Sequence, residues 1–333
     1  MRFPLHVTTD MIQHQVKQGL KGRRRYPFVL MLEPLYTCNL ACIGCALERH
    51  TGKLKDRLPL EKCIQAVEES EAPVVSLCGG EPTLYPELPE LIAGIIERRR
   101  HIYLCTNALE LERKFFGKVQ PHRRLSINVH LDGMRATHDF VVDRIGVFDK
   151  AIEMIKEAKK LGFRVVTNTT IFRETDVDEV ERLCEYLTEL GIDGMLISPG
   201  YQYATVERDI FLTRKDTEEK FRKILEMSKR FRLQSSPMFL EFAAGMRDYR
   251  CSPWSTVTYT PKGWKGPCYL IGARYYETFA EFWNREDWDY WESRKDEKCK
   301  NCSMHSGFEA SVVTELRKSP KDMVRMAAWN LLG

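Results

Sequence analysis

Short apolar runs alternate along the chain with longer stretches in which apolar residues recur at helical spacing. Such runs predict buried strands, and helical spacing predicts amphipathic helices that pack against them. From residue 27 onwards, the pattern predicts six strand-and-helix units. The predicted strands are 28–34, 73–82, 102–107, 125–133, 163–172 and 192–200, and the predicted helices include 58–70, 88–99, 148–162 and 176–191.

Alternating strands and helices with short connections predict parallel strands joined by right-handed crossovers. An open six-unit barrel and a doubly wound sheet both satisfy this pattern. In either fold, ligands gather at the carboxyl ends of the strands. The candidate functional residues should therefore follow the strands.

Composition narrows the class of protein. The chain has 333 residues and a net charge of +4 from 51 basic and 47 acidic residues, which is too mild to indicate a nucleic-acid partner. It contains no apolar run long enough to span a bilayer, and its first 20 residues are too polar for the core of a signal peptide. We expect a cytoplasmic protein.

The eleven cysteines are unevenly distributed. In a reducing compartment, such cysteines are more often metal ligands or redox groups than disulfide partners. Two groups stand out, one directly after the first predicted strand and one near the C-terminus. They are Cys38, Cys42 and Cys45, and then Cys251, Cys268, Cys299 and Cys302.

The first group has the spacing Cys-x3-Cys-x2-Cys. Three such thiolates can hold one iron–sulfur cluster, which normally takes four, and the missing fourth leaves an iron open to a ligand. Stray thiols or part of a zinc site are the alternatives. Further candidate residues follow the other strands, and together they predict one site at one rim of the sheet. They are Gly79, Gly80, Glu81 and Pro82, then Cys105, Asn107, His130, Asp132, Asn168 and Ser198.

The three-cysteine spacing resembles the motif of the radical S-adenosylmethionine (SAM) enzymes, and Gly79 to Pro82 looks like their loop that receives the methionine amino group. The resemblance implies a [4Fe–4S] cluster on the three cysteines, whose open iron chelates SAM. It also implies a low-potential electron donor of the flavodoxin or ferredoxin type. The residues that it implies as further SAM contacts are Asn107, His130, Asp132, Asn168 and Ser198. Gly44 departs from the pattern, because the superfamily commonly has an aromatic residue there, near the adenine.

With this resemblance, we expect an α/β fold built on a partial (β/α)6 radical SAM barrel. The predicted divisions are an N-terminal helix and basic segment (1–26), the barrel (27–212), a helical connection (213–248) and a small, irregular cysteine-containing module (249–333).

Longer stretches, among them "YLCTNALELERK" and "ISPGYQY", resemble the adenosyl hopene transferases of hopanoid synthesis over residues 24–313. The resemblance implies addition of the adenosyl radical to the alkene of diploptene, with the Cys105 thiol as the final hydrogen donor, to give adenosylhopane. Ala46-Leu47 and Ser306 depart from that family's pattern and put the substrate in doubt. Another polyprenoid or a peptide is the alternative substrate. A cluster-bearing electron carrier is a further alternative, against which the Gly79 to Pro82 loop argues.

The C-terminal cysteines predict a second metal site, because Cys299 and Cys302 form a Cys-x2-Cys pair. A second [4Fe–4S] cluster, structural zinc and unmetallated thiols remain open, with His305 as an extra candidate ligand. The other cysteines (Cys63, Cys78 and Cys184) are expected to pack in the core. Residues of 201–211, 238–246 and 254–276 are candidates for an apolar substrate pocket.

The N-terminal segment has two interpretations. Met11, Ile12, Val16 and Leu20 lie near helical spacing and precede a basic cluster, which is compatible with peripheral contact at the inner face of the membrane. A helix that closes the floor of the barrel is the alternative.

Overall fold

The structure is a computed structural model that describes residues 2–202, 206, 208–272 and 274–332. Its strands are β1 Val29–Leu32, β2 Val74–Leu77, β3 His101–Thr106, β4 Leu125–His130, β5 Arg164–Ile171, β6 Gly194–Pro199, β7 Thr256–Thr260, β8 Gly263–Gly266 and β9 Arg274–Tyr276. Its helices are α1 Leu5–Leu20, α2 Glu48–Thr51, α3 Leu60–Ser70, α4 Leu88–Glu97, α5 Arg135–Val141, α6 Val147–Lys160, α7 Val177–Glu189, α8 Arg214–Met227, α9 Pro237–Ala243, α10 Phe279–Arg285, α11 Trp288–Glu292, α12 His305–Glu315 and α13 Pro320–Leu332.

The first six strands decide between the two predicted folds. They are parallel, and each pairs with its neighbour in the chain, from β1 to β6. A doubly wound sheet reverses its strand order at a switch point, whereas a barrel keeps the chain order. The prediction of an α/β partial barrel is therefore confirmed.

The C-terminal module is more regular than predicted. β7 pairs in parallel with β1, opposite Val29 and Leu32, and the antiparallel strands β8 and β9 extend the same sheet. The prediction of an irregular module is wrong only for the segments that form β7, β8 and β9. The many aromatic and glycine residues of this region obscured the strand pattern of Thr256 to Thr260. This run consists of β-branched residues and one tyrosine, and all five residues are buried.

Helix α1 closes the barrel at the amino-terminal ends of the strands. Asp10 accepts a hydrogen bond from Arg124 Nη1 at 2.6 Å and lies 2.8 Å from His101 Nε2. His101 begins β3 and Arg124 directly precedes β4. The interpretation of α1 as the barrel floor is confirmed, and the carboxyl ends of the strands lie at the opposite rim.

Four apolar side chains of α1 nevertheless face solvent: Leu5, Ile12, Val16 and Leu20 are more than half exposed. In the described part of the chain, no helix combines the length and the apolar character needed to cross a bilayer.

Candidate functional site

The carboxyl ends of β1 to β6 surround one cavity of about 350 Å³, here called the three-cysteine cavity. Its lining includes almost every residue that the sequence predicts for the site. Those residues are Cys38, Cys42, Cys45, Gly79, Gly80, Glu81, Cys105, Asn107, His130, Asp132, Asn168 and Ser198. Pro82 is the exception, because it is buried in the turn behind the lining.

The three thiols of the loop face this cavity. Burial raises the pKa of Cys38 to about 12 and also raises the pKa of Cys42 and of Cys45. The thiols would therefore stay protonated at neutral pH unless a metal displaced the protons.

No three His, Cys, Asp or Glu side chains in the described ranges are grouped closely enough to bind a single metal ion. A cluster does not require that grouping, since each of its cysteines binds a different iron. The loop and the cavity are therefore compatible with a cluster.

Gly79 and Gly80 join the second strand to the cysteine loop through close backbone contact. Gly79 has a φ of +108°, and a Cβ there would lie 2.6 Å from the carbonyl oxygen of Leu35. A Cβ on Gly80 would lie 2.1 Å from the carbonyl oxygen of Thr37. Since no side chain fits at either position, the two loops can meet only with glycine at both.

The Glu81 carboxylate is fully engaged within the protein. It accepts hydrogen bonds from the backbone and hydroxyl of Thr83 at 3.0 and 2.6 Å, from Thr106 Oγ1 at 2.7 Å and from the Asn107 amide at 2.9 Å. Burial nevertheless raises its pKa, against the effect of these bonds. Its carboxylate thus ties the second strand to the third.

A coupled pair of side chains lines the opposite wall. His130 Nε2 lies 2.7 Å from Asp132 Oδ2, and the other oxygen of Asp132 accepts the Thr170 amide at 2.7 Å. Burial opposes the charge on His130, but the attraction and hydrogen bond of Asp132 outweigh it and raise its pKa.

Two amide oxygens of the cavity wall are buried without a hydrogen-bond partner in the described structure. They are Asn128 Oδ1 and Asn168 Oδ1. A buried polar atom without a partner costs about 1–3 kcal/mol, so such atoms indicate a polar ligand.

Residues 32–187 match the family described as the Radical SAM superfamily. They span the cysteine loop, the glycine loop and the strands from the end of β1 to β5. This part of the chain belongs to the radical SAM superfamily. Radical SAM proteins use a [4Fe–4S] cluster and SAM, and the polar cavity fits that pair. Residues 195–326 match a second family, described as a domain of unknown function, DUF3463.

Curated radical SAM relatives have several different functions. Fe-coproporphyrin III synthase of Methanosarcina barkeri is 28% identical over 45% of this chain and 41% of its own length. Mycofactocin maturase MftC of Mycobacterium tuberculosis is 24% identical over 53% of this chain and 45% of its own. The chain thus spans less than half the length of these two. GTP 3′,8-cyclase of Thermodesulfovibrio yellowstonii is 26% identical over 69% of this chain and 78% of its own.

Solved structures share the fold. Streptococcus suis SuiB bound to precursor peptide SuiA superposes with a TM-score of 0.65 at 15% identity, over 93% of this chain and 77% of that one. A structure of SuiB bound to S-adenosylmethionine gives a TM-score of 0.63. At this identity, the likeness concerns the fold alone.

An aromatic ring from a residue that follows β5 lies beside Gly44, the position at which the superfamily commonly has an aromatic residue. A Cβ on Gly44 would lie 2.6 Å from Cζ of Phe172, which follows β5 and lines the cavity. The Phe172 ring therefore fills the space beside the third cysteine. Sequence spacing could not reveal this contact, because the two residues are 128 positions apart.

The C-terminal thiols surround a second, smaller cavity of about 40 Å³, here called the four-cysteine cavity. Cys251, Cys268, Cys299 and Cys302 all line it, together with Ser306. A Cβ on Gly307 would lie 2.7 Å from Cys251 Sγ, so the start of α12 packs directly against one thiol. The structure thus brings together the four cysteines predicted for a second metal site.

Other predicted residues lie elsewhere. His305, an extra candidate for the second metal site, lines the three-cysteine cavity instead. Cys63 and Cys184 are buried on helices as predicted, whereas Cys78, expected to pack in the core, lines the three-cysteine cavity.

The apolar pocket prediction is met only in part. Tyr201, Phe211 and Tyr269 line the three-cysteine cavity. Residues 203–205, 207 and 273 lie outside the described residues, and most of α9 is buried in the core.

Proposed function

We propose that this chain is a radical SAM enzyme that ends its reaction with a hydrogen atom from the Cys105 thiol. The position of Cys105 carries the proposal. Its sulfur lies 3.4 Å from Ser76 Oγ and 3.4 Å from Asn128 Nδ2, in the same cavity as the three-cysteine loop.

The surroundings of Cys105 suit a thiol that gives up a hydrogen atom. Burial raises its pKa against the two hydrogen bonds, so the S–H bond is intact at neutral pH. Asn128 donates to the sulfur from the next strand and holds it in place. Since an S–H bond is weaker than a tertiary C–H bond, transfer to a tertiary carbon radical is downhill.

The residues that would hold the cofactors are those that line the cavity. Cys38, Cys42 and Cys45 would bind the cluster, and the backbone of Gly79 to Glu81 would receive the methionine end of SAM. When bound, the pair supplies an adenosyl group as a carbon radical. The unpaired oxygens of Asn128 and Asn168 suit donor groups of SAM, and Phe172 is positioned to pack against its adenine.

The first candidate substrate is the alkene of a hopanoid, diploptene. Transfer of the adenosyl group to the terminal alkene carbon would form one C–C bond and leave a tertiary carbon radical, which the hydrogen atom of Cys105 would quench. The apolar wall formed by Tyr201, Tyr269 and Met304 supports an apolar substrate. The resemblance of the sequence to adenosyl hopene transferases is the main support.

Two features limit this candidate. The cavity of about 350 Å³ lies near the lower end of the volumes usual for ligand sites. A triterpene would therefore extend beyond it, past the apolar wall. Membrane contact through α1 would hold the barrel floor, and not the cavity mouth, against the bilayer. A lipid substrate would then have to leave the bilayer to reach the site.

A peptide is the second candidate. Among the similar proteins, mycofactocin maturase MftC and SuiB, which was solved with a precursor peptide, favour it. In either case the DUF3463 region would supply the far wall, since Tyr269 and Met304 belong to it.

For the four-cysteine cavity we propose a second [4Fe–4S] cluster in preference to structural zinc, because no three candidate ligands of the described residues are grouped closely enough to bind a single ion. Arg294 supports an anionic cluster, because its charge lowers the pKa of Cys251, Cys299 and Cys302, although burial raises all three overall.

The test is product analysis with the enzyme loaded under argon. Wild type and Cys105→Ala receive SAM, a reductant and diploptene in detergent, and products are followed by mass spectrometry. An adenosine–hopane adduct from wild type, replaced by unsaturated or cyclised adducts in the variant, is expected. SAM cleavage to 5′-deoxyadenosine without any adduct would overturn the hopanoid substrate and direct the search to peptides.

A further inference from the structure

A second thiol lies beside Cys105. Strands β2 and β3 pair in parallel, with Ser76 opposite Tyr103 and Leu77 opposite Leu104. Extended by one position past the end of β2, this register sets Cys78 beside Cys105. Neighbouring strands lie about 4.8 Å apart, and a disulfide needs Cα atoms about 4.4–6.8 Å apart. The backbone spacing therefore suits a disulfide between the two.

Both thiols also point the same way. Cys78 directly follows β2, two residues after Ser76, and both residues line the three-cysteine cavity with Cys105. The Cys78 thiol donates only a long contact, 3.6 Å, to the carbonyl oxygen of Ser76. The proximity of Cys105 is among the causes that raise the pKa of Cys78.

We propose that Cys78 and Cys105 are a dithiol pair that closes to a disulfide after Cys105 has given up its hydrogen atom. The inference rests on the proposed function for its trigger, because the substrate radical is the oxidant. It assigns to Cys78 a chemical role as the resolving thiol.

The Cys105 S–H bond breaks, its hydrogen atom goes to the substrate carbon, and a sulfur radical remains. The Cys78 sulfur loses its proton to solvent in the cavity and bonds to Cys105. The surplus electron passes to the oxidised form of a one-electron carrier of the ferredoxin or flavodoxin class. A dithiol reductant then restores both thiols with two electrons and two protons.

The first test does not depend on turnover. Cluster-loaded enzyme is treated under argon with one equivalent of diamide, alkylated and digested after glutamate. Digestion at glutamate separates the cysteines concerned, because Cys78 falls in residues 72–87 (the Glu81–Pro82 bond resists cleavage), Cys105 in 98–110 and Cys63 in neither. The expected product is a cross-linked pair of these two peptides, with iron content unchanged. Separately alkylated Cys78 and Cys105, or Cys105 joined to another cysteine, would overturn the pair.

Cys78→Ser is the matched variant, since it keeps the size of the side chain and removes the second sulfur. It should give no cross-link and leave Cys105 open to alkylation. Cys63→Ser, which alters a buried helix cysteine, should cross-link as wild type does. A cross-link that survives in Cys78→Ser would sink the assignment of Cys78.

The second test follows one turnover driven by reduced flavodoxin, whose oxidised form can take the surplus electron, without added thiol. One Cys78–Cys105 disulfide per adduct is expected in wild type. Adduct formation with both thiols still free would overturn the dithiol step and leave the proposed function standing. A diamide cross-link without any adduct would keep the pair and overturn the proposed substrate.

Discussion

The two thiol-lined cavities differ more in their surroundings than in their number of cysteines. The three-cysteine cavity lies at the strand ends, and its wall carries amide oxygens without partners. The four-cysteine cavity is far smaller, and its lining is mainly apolar and aromatic. A wall with unpaired polar atoms favours entry of a polar ligand, whereas a small apolar enclosure favours a metal with no open position. We therefore expect the thiols of the three-cysteine cavity to take part in the reaction and those of the four-cysteine cavity to stabilise the fold.

The cavities also share a wall. Tyr201, Tyr269 and Met304 line both. Because the two sites share this wall, their roles are best separated by removing the cysteines of one site and measuring the metal content and activity of the other.

The largest effect is expected from Cys42→Ala. Loss of one of three ligands should remove the first cluster and abolish SAM cleavage, while iron falls by about four atoms per chain. Iron analysis and 5′-deoxyadenosine production measure both results. SAM cleavage that survives in this variant would contradict the assignment of the loop.

Cys268→Ala should affect stability first. We expect metal loss from the four-cysteine cavity and a lower Tm, because metal bound only by the folded state stabilises it. SAM cleavage should persist in the protein that stays folded. Metal analysis and thermal unfolding give the comparison, and loss of SAM cleavage at unchanged Tm would contradict a structural role.

Gly80→Ala should weaken SAM binding by about tenfold or more, since its Cβ would lie 2.1 Å from the Thr37 carbonyl oxygen and push the two loops apart. Calorimetric titration with SAM measures it. Gly19→Ala is the matched control: it lies in α1 with nothing within 4 Å of the new Cβ, and should leave binding unchanged. Equal losses in both variants would contradict the loop contact.

Phe172→Ala should weaken SAM binding and destabilise the fold, because it opens space beside Gly44 and removes an aromatic contact. Phe163→Ala, which removes a buried ring at the other end of the same strand, is expected to cost stability without loss of SAM affinity. Partial rescue of SAM affinity by Gly44→Phe in the Phe172→Ala background would show that the two positions share one role. A rescue that fails, with the double variant folded, would argue against that exchange.

The smallest effect concerns the helix beside the four-cysteine cavity. Burial raises the pKa of Glu309 to about 7, although Ser236 donates to it at 2.7 and 2.6 Å. A carboxyl with a raised pKa holds its proton in the folded state, so its contribution is present below pH 4.5 and is lost as pH rises through about 7. The free energy of unfolding should fall by about 1–3 kcal/mol over that range. Denaturant titrations at several pH values should show that the free energy of unfolding depends less on pH in Glu309→Gln than in wild type. The same pH dependence in both proteins would refute the effect.

The local hydrophobic pattern predicted the strands of the barrel well. It did not predict contacts between residues that are far apart in the sequence. The six strands could be read from apolar runs because each is buried on both faces. The strands β7 to β9 could not, since their burial depends on pairing with β1, more than 220 residues earlier. For the same reason, the sequence placed the three cysteines and the residues at the strand ends but gave no sign that Phe172 lies beside Gly44. The sequence analysis also expected Cys78 to pack in the core. Its place in the cavity lining depends on how β2 aligns with β3, which local sequence does not determine.

The most direct test of the division between the cavities is electron paramagnetic resonance of the reduced protein before and after addition of SAM. The account predicts that SAM shifts the cluster signal of wild type and of Cys268→Ala. Any signal left in Cys42→Ala should not respond to SAM. A response to SAM in Cys42→Ala, or none in Cys268→Ala that retains its first cluster, would contradict the claim that the three-cysteine loop holds the open iron.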